Sequence, residues 1–231
     1  MRLPKALTAV HKWFGVFVGI QVLLWVAGGL VMSAFPIELV RGETQAAHDE
    51  PTPIGAHELG VDLAATLATI GAVSAIETVR IAGRLYLRAD RIGQPPILID
   101  ASDGRLIDSI DEATARVVAD DDFTGVGRVV ATELAADTST EYRGVLPVWR
   151  IRFDDARATT IYVSPTSGQV IARRNDIWRL YDFFWMLHIM DYKERVDFNH
   201  ALLIGASALA LLLAATGFWL LFYRVRVRLR R

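Results

Sequence analysis

Two uncharged apolar stretches bracket a polar middle. Trp13 to Phe35 and Ala201 to Tyr223 each run 23 residues without a charged side chain. At about 1.5 Å per helical residue, either one can cross a hydrocarbon core of about 30 Å. Pro36 stops the first. That first run is also longer than the apolar core of a secretory signal, so it is expected to stay as an anchor, although Met32-Ser33-Ala34 resembles a cleavage site. Gly15 and Gly19 in the first stretch, and Ala206, Ala210 and Ala214 in the second, are small residues four apart, the spacing at which helices in lipid pack on each other.

Between the spans the period changes. Residues 36–57 read as a linker, rich in Glu, Thr, Pro, Gly and His from 43 onward. Leu59, Leu63, Leu67 and Ile70 fall at helical spacing, ended by Gly71. Arg84-Leu85-Tyr86-Leu87-Arg88 alternates as a half-buried strand does, and Ile97-Leu98-Ile99 leads through Ser102-Asp103-Gly104 to Leu106-Ile107. A second cycle then begins. Asp111 to Phe123 is predicted as a helix with Ala113 and Val117 on one face, Val126 to Ala135 as a strand, and Trp149 to Phe153 as an alternating strand. Ile161-Tyr162-Val163 turns at Thr166-Ser167-Gly168 and leaves through Val170-Ile171. The two strand–turn–strand pieces superpose at an offset of 64 residues, Gly104 on Gly168, which predicts a duplicated unit over 58–108 and 109–176. Ile177 to Tyr192, apolar and aromatic, reads as an interfacial helix within the connector 177–197 that feeds the second span (198–223).

Charge assigns sides. All 26 acidic residues lie between Glu38 and Asp197, where 17 Lys and Arg leave a net charge of −9. Both ends are basic: Arg2, Lys5 and Lys12 in the tail 1–12, and five arginines in the tail 224–231. Positive flanks resist translocation, so both termini are expected in the cytoplasm and the middle outside, in a two-pass protein of the cell (inner) membrane. Trp13, Phe14, Trp219, Phe222 and Tyr223 would mark the inner interface, and Trp178, Tyr181, Trp185 and Tyr192 the outer one. No basic folded surface is available for nucleic acid. With no cysteine in the chain, disulfides, thiolate metal sites, cysteine nucleophiles and covalently attached haem are excluded.

Ile-Tyr-Val-Ser-Pro-Thr-Ser-Gly-Gln-Val at 161–170, closing a helix and short strands, resembles the last hairpin of the PepSY domain. His11-Lys12-Trp13-Phe14-Gly15 is similar to the entry of the first helix in PepSY-associated transmembrane proteins. Leu187-His188, His200-Ala201-Leu202-Leu203 and Thr216-Gly217-Phe218-Trp219 are similar to that family's closing helix. The resemblance implies a membrane α plus extracytoplasmic α+β fold, two transmembrane helices flanking a periplasmic domain of two helix/antiparallel-sheet units. It implies an accessory protein, not catalytic alone, that binds another membrane or extracytoplasmic protein or a second copy through its extracytoplasmic domain or its transmembrane helices. Longer, four-span members include haem-containing ferric or siderophore reductases, so the competing expectation is a haem b electron-transfer protein or subunit serving extracytoplasmic iron.

Candidate chemistry is sparse. Catalytic triads, phosphate loops and HExxH or EF-hand patterns are missing from the sequence. The run Asp120-Asp121-Asp122 reads as a solvated helix end, and His48 and His57, in or beside the linker, receive no role. His11, His188 and His200 lie at span boundaries and are the candidate haem ligands. His11 falls a hydrocarbon thickness from the other two, leaving His188 and His200, with Met186 and Met190 as alternatives, as the pair able to share an iron. Arg84, Arg88, Arg150 and Arg152 alternate with apolar residues and are the candidate contacts for an acidic partner, or else a solvated sheet face.

Overall fold

The computed structural model describes residues 5–47 and 52–229; Arg2, His48, Arg230 and Arg231 lie outside the described residues. The chain divides into a helical unit, Met1–Pro36 with Leu180–Arg231, and an α+β unit, Ile37–Arg179.

The helical unit holds α1 (Lys5–Ala34), the end of α5 (Asp176–Ile189) and α6 (Ala201–Arg228). Within α1 and α6, His11–Ala34 and Ala201–Tyr223 are long and apolar enough to cross a membrane. Helix α1 stops just before Pro36, as the sequence predicts, whereas both helices run further into the basic tails than expected. The two helices pack antiparallel: His11 Nδ1 lies 3.2 Å from Thr216 Oγ1, and a Cβ at Gly15 would sit 3.8 Å from Leu213 Cδ1. Gly19 has nothing within 4 Å of such a Cβ, so its half of the small-residue pair makes no close approach. The tight contact is at Gly28, where a Cβ would lie 3.4 Å from the Phe184 carbonyl oxygen and 3.6 Å from His188 Nδ1.

In the α+β unit, two four-stranded antiparallel sheets follow the chain in order. The first contains β1 (Val73–Ile81), β2 (Arg84–Arg91), β3 (Ile97–Asp100) and β4 (Leu106–Ile107) after helix α3 (Leu63–Ile70). The second contains β5 (Val129–Ala135), β6 (Val148–Phe153), β7 (Thr160–Val163) and β8 (Val170–Arg174) after helix α4 (Glu112–Asp122). Each helix is capped by an aspartate, Asp62 accepting the Ala65 N–H and Asp111 that of Thr114. Short α2 (Ile37–Val40) precedes both, held by the buried Asn175, whose Nδ2 donates to the Leu39 carbonyl at 3.2 Å.

Duplication extends to hydrogen bonding. Asp100 donates its N–H to Arg105 O and Ser164 its own to Gln169 O, both at 2.9 Å. Gly104 and Gly168 each donate back to the carbonyl four residues earlier, at 2.9 Å, with φ of +77° and +64°. These turns need a left-handed residue, which glycine supplies without strain. The first strands match too, with a register shift at Val73/Ala75 in one and Val129/Ala131 in the other.

Alternation within β2 and β3 explains how the sheets are buried. Leu85, Leu87, Ala89, Ile97 and Ile99 face one way, under Val61 and Ile70 at the two ends of the α3 segment. Tyr86 and Leu98 face the other way and share a core with Ile151, Phe153, Ile161 and Val163 of the second sheet and Ala115 and Ala119 of α4. Burying each such aliphatic side chain contributes about 1.5–3 kcal/mol. The first sheet is therefore covered on both faces, not one. Helix α4 is also rotated from expectation: Ala113 and Val117 are exposed, and Ala115, Val118 and Ala119 carry the contact.

Candidate functional site

The four arginines lie on β2 and β6. Arg84 and Arg88 are on the Tyr86 face, which packs on the second sheet at Tyr86 and Leu98; Arg88 is largely enclosed there, whereas Arg84, at the start of β2, keeps 59% of its side chain exposed. Arg84 reaches the buried Asp100 at 2.7 Å, and Asp100 is also held by the Ser102 hydroxyl at 2.6 Å. Burial pushes the Asp100 carboxyl up, but the Ser102 hydrogen bonds and the Arg84 charge outweigh this and leave it below the usual range. Arg88, its side chain only 16% exposed, meets Glu77 at 2.9 Å, Asp90 at 3.1 Å and Gln169 Oε1 at 2.6 Å. Its guanidinium thus ties the first sheet to the second hairpin. Arg150 pairs with Glu133 across β5 and β6. Arg152 is exposed and has no ion pair among the described residues; it stands opposite Ala131 on edge strand β5. Near it in sequence along that strand, Val130 is 59% exposed.

A cleft of about 670 Å³ opens between β1 and β8, lined by Thr78, Arg80, Asp121, Gln169 and Arg173 among others. Its two cations are engaged, Arg80 with Glu58 at 2.8 Å and Arg173 with Asp122. Among the described residues no group of three or more His, Asp or Glu is placed to hold a metal ion. The acidic run at 120–122 instead gives Asp122 to Arg173.

The candidate haem histidines have different surroundings. His200 is the N-cap of α6: its Nδ1 accepts the Leu203 N–H at 3.3 Å, so Nε2 carries the proton and donates to the Ile189 carbonyl at 2.9 Å. Both ring nitrogens are committed, and the lone pair that would meet iron is spent on the helix end. His188 lies at the end of α5 with Nδ1 buried against Gly28 and without a hydrogen-bond partner. His11 is 17 residues before Gly28 along α1, about 25 Å away. The residues present therefore do not fit a His188–His200 haem. Sequence reasoning passed over two further polar groups of α1, Gln21 Nε2 and Trp25 Nε1, which are buried without partners on the face that carries Gly28. Their spacing of four and three residues is the only signal that could have found them.

Comparison with protein-family profiles, with characterised proteins and with solved structures gives no match.

Proposed function

We propose that this chain is a membrane-anchored accessory protein of PepSY type, which binds another membrane or extracytoplasmic protein through its duplicated domain. The observation that carries the reading is the pair of helix-plus-antiparallel-sheet modules, alike in turn hydrogen bonds and strand register, set between two helices of membrane-crossing length. The basic ends support a two-pass topology with both termini in the cytoplasm and the domain outside. Among the described residues no side-chain arrangement supports a bond-breaking step, whereas a compact, anchored domain suits a binding role. Arg152 on β6, a cation with no ion pair among the described residues, and Val130, an exposed aliphatic on edge strand β5, are where partner contact is expected.

A photo-crosslinking residue at Arg152 or Val130, introduced in cells, should give a discrete adduct with a second protein. The same residue at the enclosed Arg88 should give none. Failure to crosslink any protein from either exposed position overturns the reading. The competing haem b subunit would require His200 to abandon its cap.

A further inference from the structure

The connector between α5 and α6 is built around one carboxylate. Asp191 Oδ1 accepts the N–H groups of Lys193 and Glu194 at 3.2 and 3.1 Å, and Oδ2 accepts those of Val196 and Asp197 at 3.1 and 3.2 Å. Met190 and Arg195 adopt left-handed φ of +57° and +58°, which non-glycine residues hold only where their surroundings fix them. The surroundings do so here. Arg195 pairs with the buried Asp182, and its carbonyl accepts the Trp185 indole N–H at 3.0 Å. His200 closes the far end through the Ile189 carbonyl.

The loop folds four backbone N–H groups onto Asp191 and leaves apolar side chains exposed among its charged ones. Tyr192 is 52%, Val196 60% and Phe198 58% exposed. In chain order this exposure continues directly into Leu202 and Ile204, at 54% and 60%, on the first turn of α6. We propose that residues 190–200 form an insertion tip that seats Tyr192, Val196 and Phe198 in the headgroup–acyl boundary of the leaflet where α6 enters the bilayer. The proposal rests on the two-span reading above. Lipid is the occupant for two reasons. The exposed surface is continuous with the helix surface that this reading places in lipid. In addition, four backbone N–H groups that would otherwise need water are satisfied by Asp191, which is what a water-poor layer demands. Tyrosine suits that depth, and the Lys193 stem can carry its ammonium back to water. Exposed Glu194 and Asp197 keep the tip shallow.

The chain contains no cysteine, so one introduced thiol carries one probe. Val196→Cys, and separately Tyr192→Cys, would be labelled with an environment-sensitive fluorophore in the full chain and reconstituted into phosphatidylcholine vesicles. Val126→Cys, at a position 94% exposed in the α+β unit, serves as the aqueous reference, and Leu211→Cys as the mid-span one. Emission at 196 and 192 should shift to the blue of 126 and be quenched about twofold more by spin-labelled lipid carrying its label near the headgroup than by one labelled deep in the chain, as expected for burial of about 5–10 Å. Deep quenching at 211 with water-like emission at both 192 and 196 overturns the insertion tip and leaves the spans standing. Water-like emission at 211 as well overturns the two-span reading. Blue-shifted emission at 196 and 192 that no lipid quencher reaches means that protein, such as a second copy, covers the tip, and overturns the lipid assignment.

Discussion

Arg88 and Arg150 occupy the same place in the two repeats. Arg88 stands opposite Glu77 on β1 and Leu98 on β3; Arg150 stands opposite Glu133 on β5 and Tyr162 on β7. Each forms its ion pair with the glutamate across the strand. The copies have since diverged in use: Arg88 adds Asp90 and Gln169, while Arg150 stays one-third exposed beside Glu133.

That divergence predicts unequal costs. Arg88→Met should destabilise the chain by about 1–2 kcal/mol, since it removes an enclosed guanidinium that bonds Glu77, Asp90 and Gln169 and ties the two sheets together. Arg150→Met should cost less than about 1 kcal/mol, as befits a partly exposed pair. Denaturation midpoints of the full chain in detergent check the order, and equal losses contradict it.

Gly168→Ala should cost about 1–3 kcal/mol, because a Cβ there runs into Ile81 Cδ1 in the shared core while φ is positive. At Gly104 a Cβ meets only the Thr66 Oγ1 and Val61 Cγ2 atoms at 3.2 Å. Gly104→Ala should therefore be the milder of the two in the same unfolding measurement.

The Glu58 carboxyl is lowered to about 2, chiefly by the Arg80 hydrogen bond and then by the Gly55 N–H. A folded-state value below the unfolded one means that ionised Glu58 favours the fold above about pH 4.3, and that this contribution fades as pH falls toward 2. Glu58→Gln should lower the unfolding midpoint at pH 7, with the gap to wild type closing over that window. A gap independent of pH from 7 to 2 would rule the linkage out.

His200→Ala should cost about 0.5–2 kcal/mol through loss of the α6 cap, and His200→Asn, which can also cap, should recover most of it. Thermal unfolding of both variants, with visible absorbance recorded alongside, separates cap from ligand. Haem ligation would instead show as a Soret band in the wild type that both variants lose.

Much of this fold was legible from the pattern of apolar positions. Span lengths, the 64-residue offset of the hairpins and the Gly71 stop all read directly from it. The duplication looked looser upstream because corresponding strands are offset by different amounts: 56 residues for Glu77 and Glu133, 62 for Arg88 and Arg150, 64 for Leu98 and Tyr162. The longer β5–β6 and β6–β7 connections account for the drift. Strand β1 was not foreseen, since Val73–Ile81 mixes polar and apolar residues at an edge. The surroundings of the site residues were least legible. Arg84 and Arg88 were expected to point away from a core; Arg84 is exposed, but alternation cannot show that the second sheet encloses Arg88. Nor can spacing show that a histidine before a span caps it, because the partners, Leu203 N–H and Ile189 O, are backbone groups.

The account stands on a domain outside the membrane and both chain ends inside. Single cysteines at Lys12, Val126 and Arg226, probed with a membrane-impermeant maleimide in cells whose cytoplasmic membrane is intact, test this most directly. The account predicts labelling at 126, and labelling at 12 and 226 only after permeabilisation. Labelling at 12 or 226 in intact cells, or protection of 126, would contradict it.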